Sequence, residues 1–240
     1  MTSESLNLEV LLSPIGVEQF FERHWEQTYL HIQGRPADYY RDLMSAADLE
    51  QMVSNPDARY PAIQLAKGGR YFPSEAYTRN VKFGSETFIG VPDLRRINIE
   101  YRNGASVVLP ALHRTWAPLR NLCTALEAQL DHVPHGNAYI APGNAAGFTP
   151  HDVHEVLVLQ ISGKKRWSIY PPTIHLPLRS QPFTPQGYDA PPPMAQIDLN
   201  PGDLLYLPRG YIHPRRLRIA TPLMSRSASL SIPGRISPRI

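Results

Sequence analysis

The chain has 240 residues, a formal net charge of +3 and 42% hydrophobic residues, enough for one large domain or two small ones with a buried core. No apolar run approaches the roughly 20 residues of a membrane helix, and the N-terminus lacks the basic and apolar regions of a secretory signal. The single cysteine, Cys123, excludes an internal disulfide and a cysteine-based zinc cluster, and it suits the cytoplasm.

The basic charge is concentrated at the C-terminal end. Residues 204–240 contain seven Arg and no Asp, Glu or Lys. The other 203 residues carry the remaining 17 of the 24 basic residues and all 21 acidic ones, so the body is mildly acidic. A nucleic-acid surface more often spreads Lys and Arg over a folded face with aromatic residues between them. We therefore infer no direct nucleic-acid binding from the overall charge.

The first predicted helix covers residues 13–25. Ser13 can cap it, Pro14 suits the first turn, and Phe21 and Trp25 share a face at i, i+4.

Two further helices are predicted before residue 131. Ser45 and Asp48 form a capping pattern at the start of one. The other, at about 115–130, carries an apolar stripe typical of a core helix. The stripe consists of Leu119, Leu122, Cys123, Leu126 and Leu130. Cys123 is accordingly interpreted as a small core residue.

From residue 137 onward the chain changes to short segments rich in β-branched and aromatic residues, which predict strands. These segments are 138–140, 155–161, 166–170, 195–199 and 204–207. Residues 162–164 are predicted to form a hairpin turn, and 201–203 a second turn. Helices first and short antiparallel strands later indicate an α+β protein whose second half is a sandwich or barrel.

Candidate metal ligands flank this strand region. His151 and Asp152 precede one strand, and His213 lies 62 positions after His151. Two imidazoles and a carboxylate can hold Fe(II) on one face and leave three positions for a bidentate co-substrate and dioxygen. A cation deeper in a barrel, such as one from the basic segment 164–166, can pair with the far carboxylate of a keto-diacid. This order of motifs fits a double-stranded β-helix.

Several stretches resemble the JmjC ribosomal-oxygenase family, a branch of the cupins. The core resemblance lies in Asn-Ala-Tyr at 137–139, Gly-Phe-Thr-Pro-His at 147–151 and the segment 156–167, which ends Gly-Lys-Lys-Arg-Trp. Residues 201–213, starting Pro-Gly-Asp and ending in His, resemble the family's distal-histidine strand. A Phe-Phe-Glu-x-x-Trp-Glu helix at 20–26 is also similar, and the resemblance covers roughly residues 6–213.

The resemblance implies an Fe(II)- and 2-oxoglutarate-dependent oxygenase that hydroxylates a protein side chain, with a ribosomal protein as substrate. The metal ligands that it implies are His151, Asp152 and His213. The co-substrate residues are Lys165, which would pair with the distal carboxylate of 2-oxoglutarate, and Tyr139 and Asn137, which would line the same pocket. No further catalytic residue is assigned.

The spacing of the first two ligands departs from the family's His-x-acid motif. Residues one apart on a strand point to opposite faces, so adjacent His151 and Asp152 share a metal only if a bulge re-aims one of them. The chain is one residue short here when it is aligned back from Gln160. His154 and Glu155 are the candidate substitutes.

The implied fold is a double-stranded β-helix of the jelly-roll, cupin/JmjC type preceded by an N-terminal helical region. Residues 1–95 form an N-terminal α/β region flanking the barrel, 96–213 the barrel core, and 214–240 an atypical basic tail. Pro214 directly follows His213, and only 227–232 alternates as a strand would. We therefore expect a tail that is frame-altered or disordered and a barrel that lacks its closing strand.

Two other functions stay open at this point. A non-catalytic cupin-like binding module with a degraded metal site would explain the adjacent His151 and Asp152. A metal-dependent cupin isomerase or dioxygenase without 2-oxoglutarate is less favoured, because such enzymes usually present three or four His and do not need Lys165. The sequence leaves a homodimer open.

Overall fold

A computed structural model describes residues 6–130, 133–143, 145, 152–181, 189, 191–213 and 227–234. The helices of these residues are α1 (Leu8–Leu12), α2 (Val17–Arg23), α3 (Ala46–Ser54), α4 (Leu94–Arg102) and α5 (Ala117–Leu130). Short 3₁₀ turns cover Ser74–Ala76 and Leu112–Arg114. Within the described ranges, none of the helices is long and apolar enough to cross a membrane.

The predicted helix at 13–25 is wrong at its start. Ser13 is the residue after α1, and its extended backbone, with ψ at 133°, is the conformation preferred before a proline. Gly16 precedes α2 with a φ of 85°. The aromatic face is confirmed, since the ring centroids of Phe21 and Trp25 lie 5.7 Å apart.

The other two helix predictions are confirmed. Ser45 and Asp48 form a reciprocal capping box at the start of α3. All five residues of the apolar stripe on α5 are buried. Cys123 is one of them, and burial raises the pKa of its thiol to about 11, as expected of a core residue.

Twelve strands are present in the described residues. They are β1 (Leu30–Ile32), β2 (Gln64–Lys67), β3 (Arg70–Tyr71), β4 (Thr78–Phe83), β5 (Glu86–Pro92), β6 (Ser106–Leu109), β7 (Asn137–Ala141), β8 (Glu155–Ser162), β9 (Lys165–Ile169), β10 (Ala195–Leu199), β11 (Leu204–Leu207) and β12 (Ser227–Gly234). Eight of them form one antiparallel sheet in the order β1-β11-β8-β12-β7-β6-β2-β3. β9 pairs with β10, and β4 pairs with β5.

The short turns after β8 and β10 connect the large sheet with the two-stranded sheet of β9 and β10. The predicted hairpin across 162–164 is wrong, because β9 leaves β8 and pairs with β10, with Lys165 opposite Leu199. The turn at 200–203 likewise leads from β10 into β11, which pairs with β8. Such crossings are typical of a jelly roll. They agree with the predicted α+β fold of jelly-roll type.

Alternation along β8 builds a core on each side of the large sheet. Val156 and Val158 face β9 and β10, in a cluster with Ile169 and Leu205. Leu157, Leu159 and Ile161 face the helices, in a second cluster. Apolar side chains therefore pack against both faces of the large sheet along β8. The segment before residue 96 is continuous with this architecture, since it supplies β1, β2 and β3 to the large sheet.

The described strands do not close into a barrel, because the large sheet ends at β1 and β3. The expected cause, a missing strand in the basic tail, is wrong for residues 227–234. β12 lies between β7 and β8, with Leu230 opposite Ala138 and Leu159. Pro233 is tolerated because its stretch pairs with β8 alone. The remaining tail, 214–226 and 235–240, lies outside the described residues.

We expect Leu230→Ala to lower the free energy of unfolding by about 2–5 kcal/mol, because Leu230 is fully buried between the strands and the helices. Urea unfolding of the full chain measures the change. Ile89→Ala is the matched control, since Ile89 is 73% exposed and should shift stability by no more than about 0.5 kcal/mol. Equal effects of the two substitutions would show that β12 does not occupy the core.

Candidate metal centre and co-substrate pocket

Asp152 and His213 come together at one edge of the large sheet. Asp152 lies just before β8, and His213 follows β11 by six residues. The Asp152 Oδ2 and His213 Nε2 atoms are 3.6 Å apart. The backbone N–H of Gly210 donates to the carbonyl oxygen of Asp152 at 2.8 Å, which ties the two chain segments together next to their functional side chains.

The surroundings of His213 favour a neutral imidazole. Its side chain is only 13% exposed. Burial lowers its pKa, the Asp152 carboxylate opposes this, and Lys165 adds to the lowering. A neutral imidazole nitrogen is the form that binds a metal ion.

The third expected metal ligand is His151, for which His154 is a candidate substitute. His151 lies outside the described residues. The His154 Nε2 atom is 3.8 Å from Asp152 Oδ1, so His154 is next to the pair. Residues 152–154 form a bend rather than a strand. Sequence analysis assumed that adjacent residues here point to opposite faces, as on a strand. Because residues 152–154 do not form a strand, this alternation does not apply to them.

Glu155 is excluded as a substitute acid. It is the first residue of β8 and is 3% exposed. Its carboxylate accepts a hydrogen bond from the Tyr206 hydroxyl and pairs with Arg209 Nη1 at 3.1 Å. The Glu155 side chain therefore faces the helical layer, away from Asp152 and His213.

The donors fit a shared metal ion in part. Two donors that are each about 2.1 Å from one ion can be at most about 4.2 Å apart, and the Asp152–His213 distance of 3.6 Å satisfies this limit. A carboxylate and an imidazole are ligands suited to Fe(II). Among the residues that the structure describes, no group of three or more His, Cys, Asp or Glu side chains is arranged to hold a metal.

Lys165 faces the space between the two sheets. On β9 it shares a face with Trp167 and the fully buried Ile169, while Arg166 is exposed and pairs with Asp198. Burial lowers the pKa of Lys165 to about 8, and its Nζ lies 4.6 Å from the centre of the Trp167 ring. A desolvated ammonium with no carboxylate partner in the described part of the chain favours an anionic ligand.

Tyr139 and Asn137 lie on one face of β7. Burial raises the pKa of Tyr139, and the nearby Tyr71 and Asp152 raise it further. Tyr139 therefore borders the same space as Asp152. Asn137 hydrogen-bonds to Tyr139, and its Oδ1 accepts the N–H of Ala111 at 2.8 Å. Asn137 thus supports the orientation of Tyr139.

Two aromatic residues were missed as site residues by sequence analysis. The ring centre of Trp167 lies 5.3 Å from that of His213. Its indole N–H is buried and has no acceptor among the described residues. The strand alternation that places Trp167 on the face of Lys165 could have identified it. Tyr71 is close enough for the Asp152 charge to raise its pKa, and no sequence feature indicated this.

The comparisons with known proteins identify the family. A family model described as the JmjC domain matches residues 113–234, which is just over half of the chain. The chain belongs to the JmjC domain family. This match includes Asp152, Lys165 and His213, and it extends through β12.

Curated relatives are similar over most of this chain. Ribosomal oxygenase 1 of Homo sapiens is 32% identical over 213 residues, which are 85% of this chain and 31% of that protein. The bifunctional lysine-specific demethylase and histidyl-hydroxylase NO66 of Drosophila persimilis is 31% identical over 86% of this chain and 29% of that protein. Ribosomal oxygenase 2 of Rattus norvegicus is 31% identical over 88% of this chain and 44% of that protein. The JmjC chain thus spans less than half the length of these relatives.

Solved structures support the fold. The crystal structure of the Escherichia coli ribosomal oxygenase YcfD is 18% identical and covers 92% of this chain and 52% of its own, with a TM-score of 0.53. YcfD in complex with cobalt and 2-oxoglutarate is 17% identical, with the same coverage and TM-score. At this level of identity the likeness concerns the fold alone.

We expect His213→Ala to weaken Co(II) binding at least tenfold, because it removes one of the two donors that already face each other. Isothermal titration calorimetry of the full chain with Co(II) measures the affinity. His175→Ala is the control, since His175 is exposed on a loop and should bind Co(II) as the wild type does. An unchanged affinity of His213→Ala would remove His213 from the centre.

Proposed function

We propose that this JmjC protein is an Fe(II)- and 2-oxoglutarate-dependent oxygenase that hydroxylates a protein side chain. The observation that carries the proposal is the position of Lys165. Its desolvated ammonium faces the space that also holds the Asp152–His213 pair. A metal-binding pair beside a buried cation suits a co-substrate that chelates the metal at one end and carries a carboxylate at the other.

Each described side chain has a role in this proposal. Asp152 and His213 would hold two positions on the iron, and His151 or His154 the third. Lys165 would bind the distal carboxylate of 2-oxoglutarate, and Tyr139, oriented by Asn137, would line the same pocket. When bound, the iron supplies the oxidising chemistry that converts 2-oxoglutarate and dioxygen to succinate and carbon dioxide while a substrate C–H bond becomes C–OH. The apolar residues between the two sheets, such as Val158 and Ile169, would limit the access of water to this space.

The names of the relatives suggest a substrate. They include ribosomal oxygenases and a histidyl-hydroxylase, and we propose a ribosomal protein as the partner that this chain modifies. A cytoplasmic location agrees with a single, buried cysteine. The decisive test is succinate formation from 2-oxoglutarate by purified protein with Fe(II), dioxygen and a ribosomal-protein fraction.

We expect Lys165→Ala to raise the 2-oxoglutarate concentration needed for half-maximal binding by about 10- to 100-fold. A hydrogen bond to a charged group contributes about 1.5–3 kcal/mol, and the substitution removes it. Calorimetry of 2-oxoglutarate binding to the Co(II)-loaded protein measures the change. Lys164→Ala is the matched control, because Lys164 is exposed next in sequence. Equal affinities of the two variants would take Lys165 out of the pocket.

A binding module with a degraded metal site is the second candidate. It is favoured by the adjacency of His151 and Asp152. Such a protein would bind a ligand or partner without forming succinate.

Insertion of one Ala between His151 and Asp152 separates these two candidates. In a degraded site, the restored His-x-acid spacing should increase Co(II) affinity and create succinate formation that the wild type lacks. In a working oxygenase, the insertion should weaken both, since it displaces one donor from an assembled centre. The two functions thus predict changes of opposite sign in the same calorimetric and succinate assays.

A further inference from the structure

Arg209 is the centre of a buried charge network on the helical side of the large sheet, close in sequence to the segments that carry Asp152 and His213. It is 8% exposed. Its Nη1 lies 2.5 Å from Glu26 Oε1 and 3.1 Å from Glu155 Oε1. The Tyr206 hydroxyl donates to the other oxygen of Glu155 and accepts the backbone N–H of Glu26 at 3.0 Å. One guanidinium thus joins the N-terminal region, the start of β8 and the turn after β11.

The network joins the two segments that carry the proposed metal ligands. Glu155 lies three residues after Asp152, and Arg209 lies four residues before His213. The Arg209 backbone N–H also donates to Glu155 Oε1, at 3.4 Å. The next residue, Gly210, donates to the carbonyl oxygen of Asp152. Side-chain and backbone contacts therefore fix the same two segments against each other.

The turn that carries Arg209 has little freedom of its own. Gly210 has a φ of 89°, and a Cβ on it would lie 2.7 Å from the carbonyl oxygen of Ile174 and 2.6 Å from Pro177. The turn is therefore pressed against the loop at 174–177, in a conformation that favours glycine. Because the turn has little conformational freedom, a displacement of Arg209 relative to Glu155 would also displace His213.

Stability alone does not account for the network. A buried ion pair can often be replaced by apolar residues of similar volume at no loss of stability. Among the described residues, the hydrogen bonds of the guanidinium go to Glu26 and Glu155, and none goes to Asp152 or His213. The contacts of Arg209 in the described residues therefore reach the Asp152–His213 pair through the position of the chain.

We propose that Arg209 is a positioning residue for the metal centre. Its ion pair with Glu155 holds the turn before His213 onto the start of β8, so that the Asp152 carboxylate and the His213 imidazole face each other before a metal ion arrives. This inference rests on the proposed function, because it assumes that Asp152 and His213 bind the metal.

The test compares Co(II) affinity and the visible spectrum of bound Co(II) in the full chain with the double variant Arg209→Met/Glu155→Gln. The double variant leaves no unpaired charge on Glu155, and Glu26 is exposed enough to stay hydrated. We expect Co(II) affinity to fall about 10- to 100-fold, the usual effect of losing a residue that supports metal ligands. The Co(II) spectrum should also change, while the apo-protein keeps a cooperative thermal unfolding transition.

Three further single variants define the outcome. A single nitrogen of Arg209 contacts both carboxylates, so the ammonium of Arg209→Lys should retain more Co(II) affinity than Arg209→Met. Arg166→Met, which breaks the exposed Arg166–Asp198 pair on β9, should leave affinity and spectrum unchanged. Wild-type Co(II) affinity in the double variant would overturn the role of Arg209 and leave the proposed oxygenase intact. Failure of the wild type to bind Co(II) would overturn both.

Discussion

The antiparallel pairing of β8 with β11 is the constraint on which the site depends. In this register Val156 lies opposite Leu207, so the beginning of one strand meets the end of the other. Residues just before β8 and just after β11 must then meet at the same sheet edge, although some 60 residues separate them. Asp152 and His213 occupy these two positions. The strand pairing, driven by burial of the alternating apolar residues on both faces of β8, therefore creates the candidate centre.

The same burial sets the electrostatics of the site. A dry space between two sheets strengthens charge interactions and makes an unpaired charge costly. Burial lowers the pKa of Lys165 and of His213. In the proposed function this favours an anionic ligand at the first and a neutral metal donor at the second. At neutral pH, Lys165 with a pKa of about 8 is still mostly protonated. One physical cause thus acts on two neighbouring groups, the Lys165 ammonium and the His213 imidazole.

Local chemistry made several features predictable from the sequence. The capping box of Ser45 and Asp48, the apolar stripe on α5 and the strands of the second half depend on short-range patterns that tertiary contacts only reinforce. The inward face of Lys165 follows from strand alternation. The partners of β9 and β12 depend instead on which sheet each strand joins. The turn sequence at 162–164 does not indicate which sheet β9 joins. The Arg and Pro residues around β12 likewise do not indicate its partner strands.

The spacing of His151 and Asp152 shows where periodicity stops being informative. Alternation assigns faces only to residues within a paired strand, and β8 begins at Glu155. Upstream of that residue the chain bends. There the Asp152 carbonyl is held by Gly210, while Glu155 is held by Arg209 and Tyr206. The orientation of Asp152 is thus determined by two anchors three residues apart. Because residues 152–155 are held at both ends, a spacing that is one residue shorter before Asp152 need not turn its carboxylate away from His213. The shortened spacing then concerns the first histidine of the motif. His154 lies next to Asp152, with its Nε2 atom 3.8 Å from Oδ1, but the described residues do not bring Asp152, His154 and His213 together as a three-donor group.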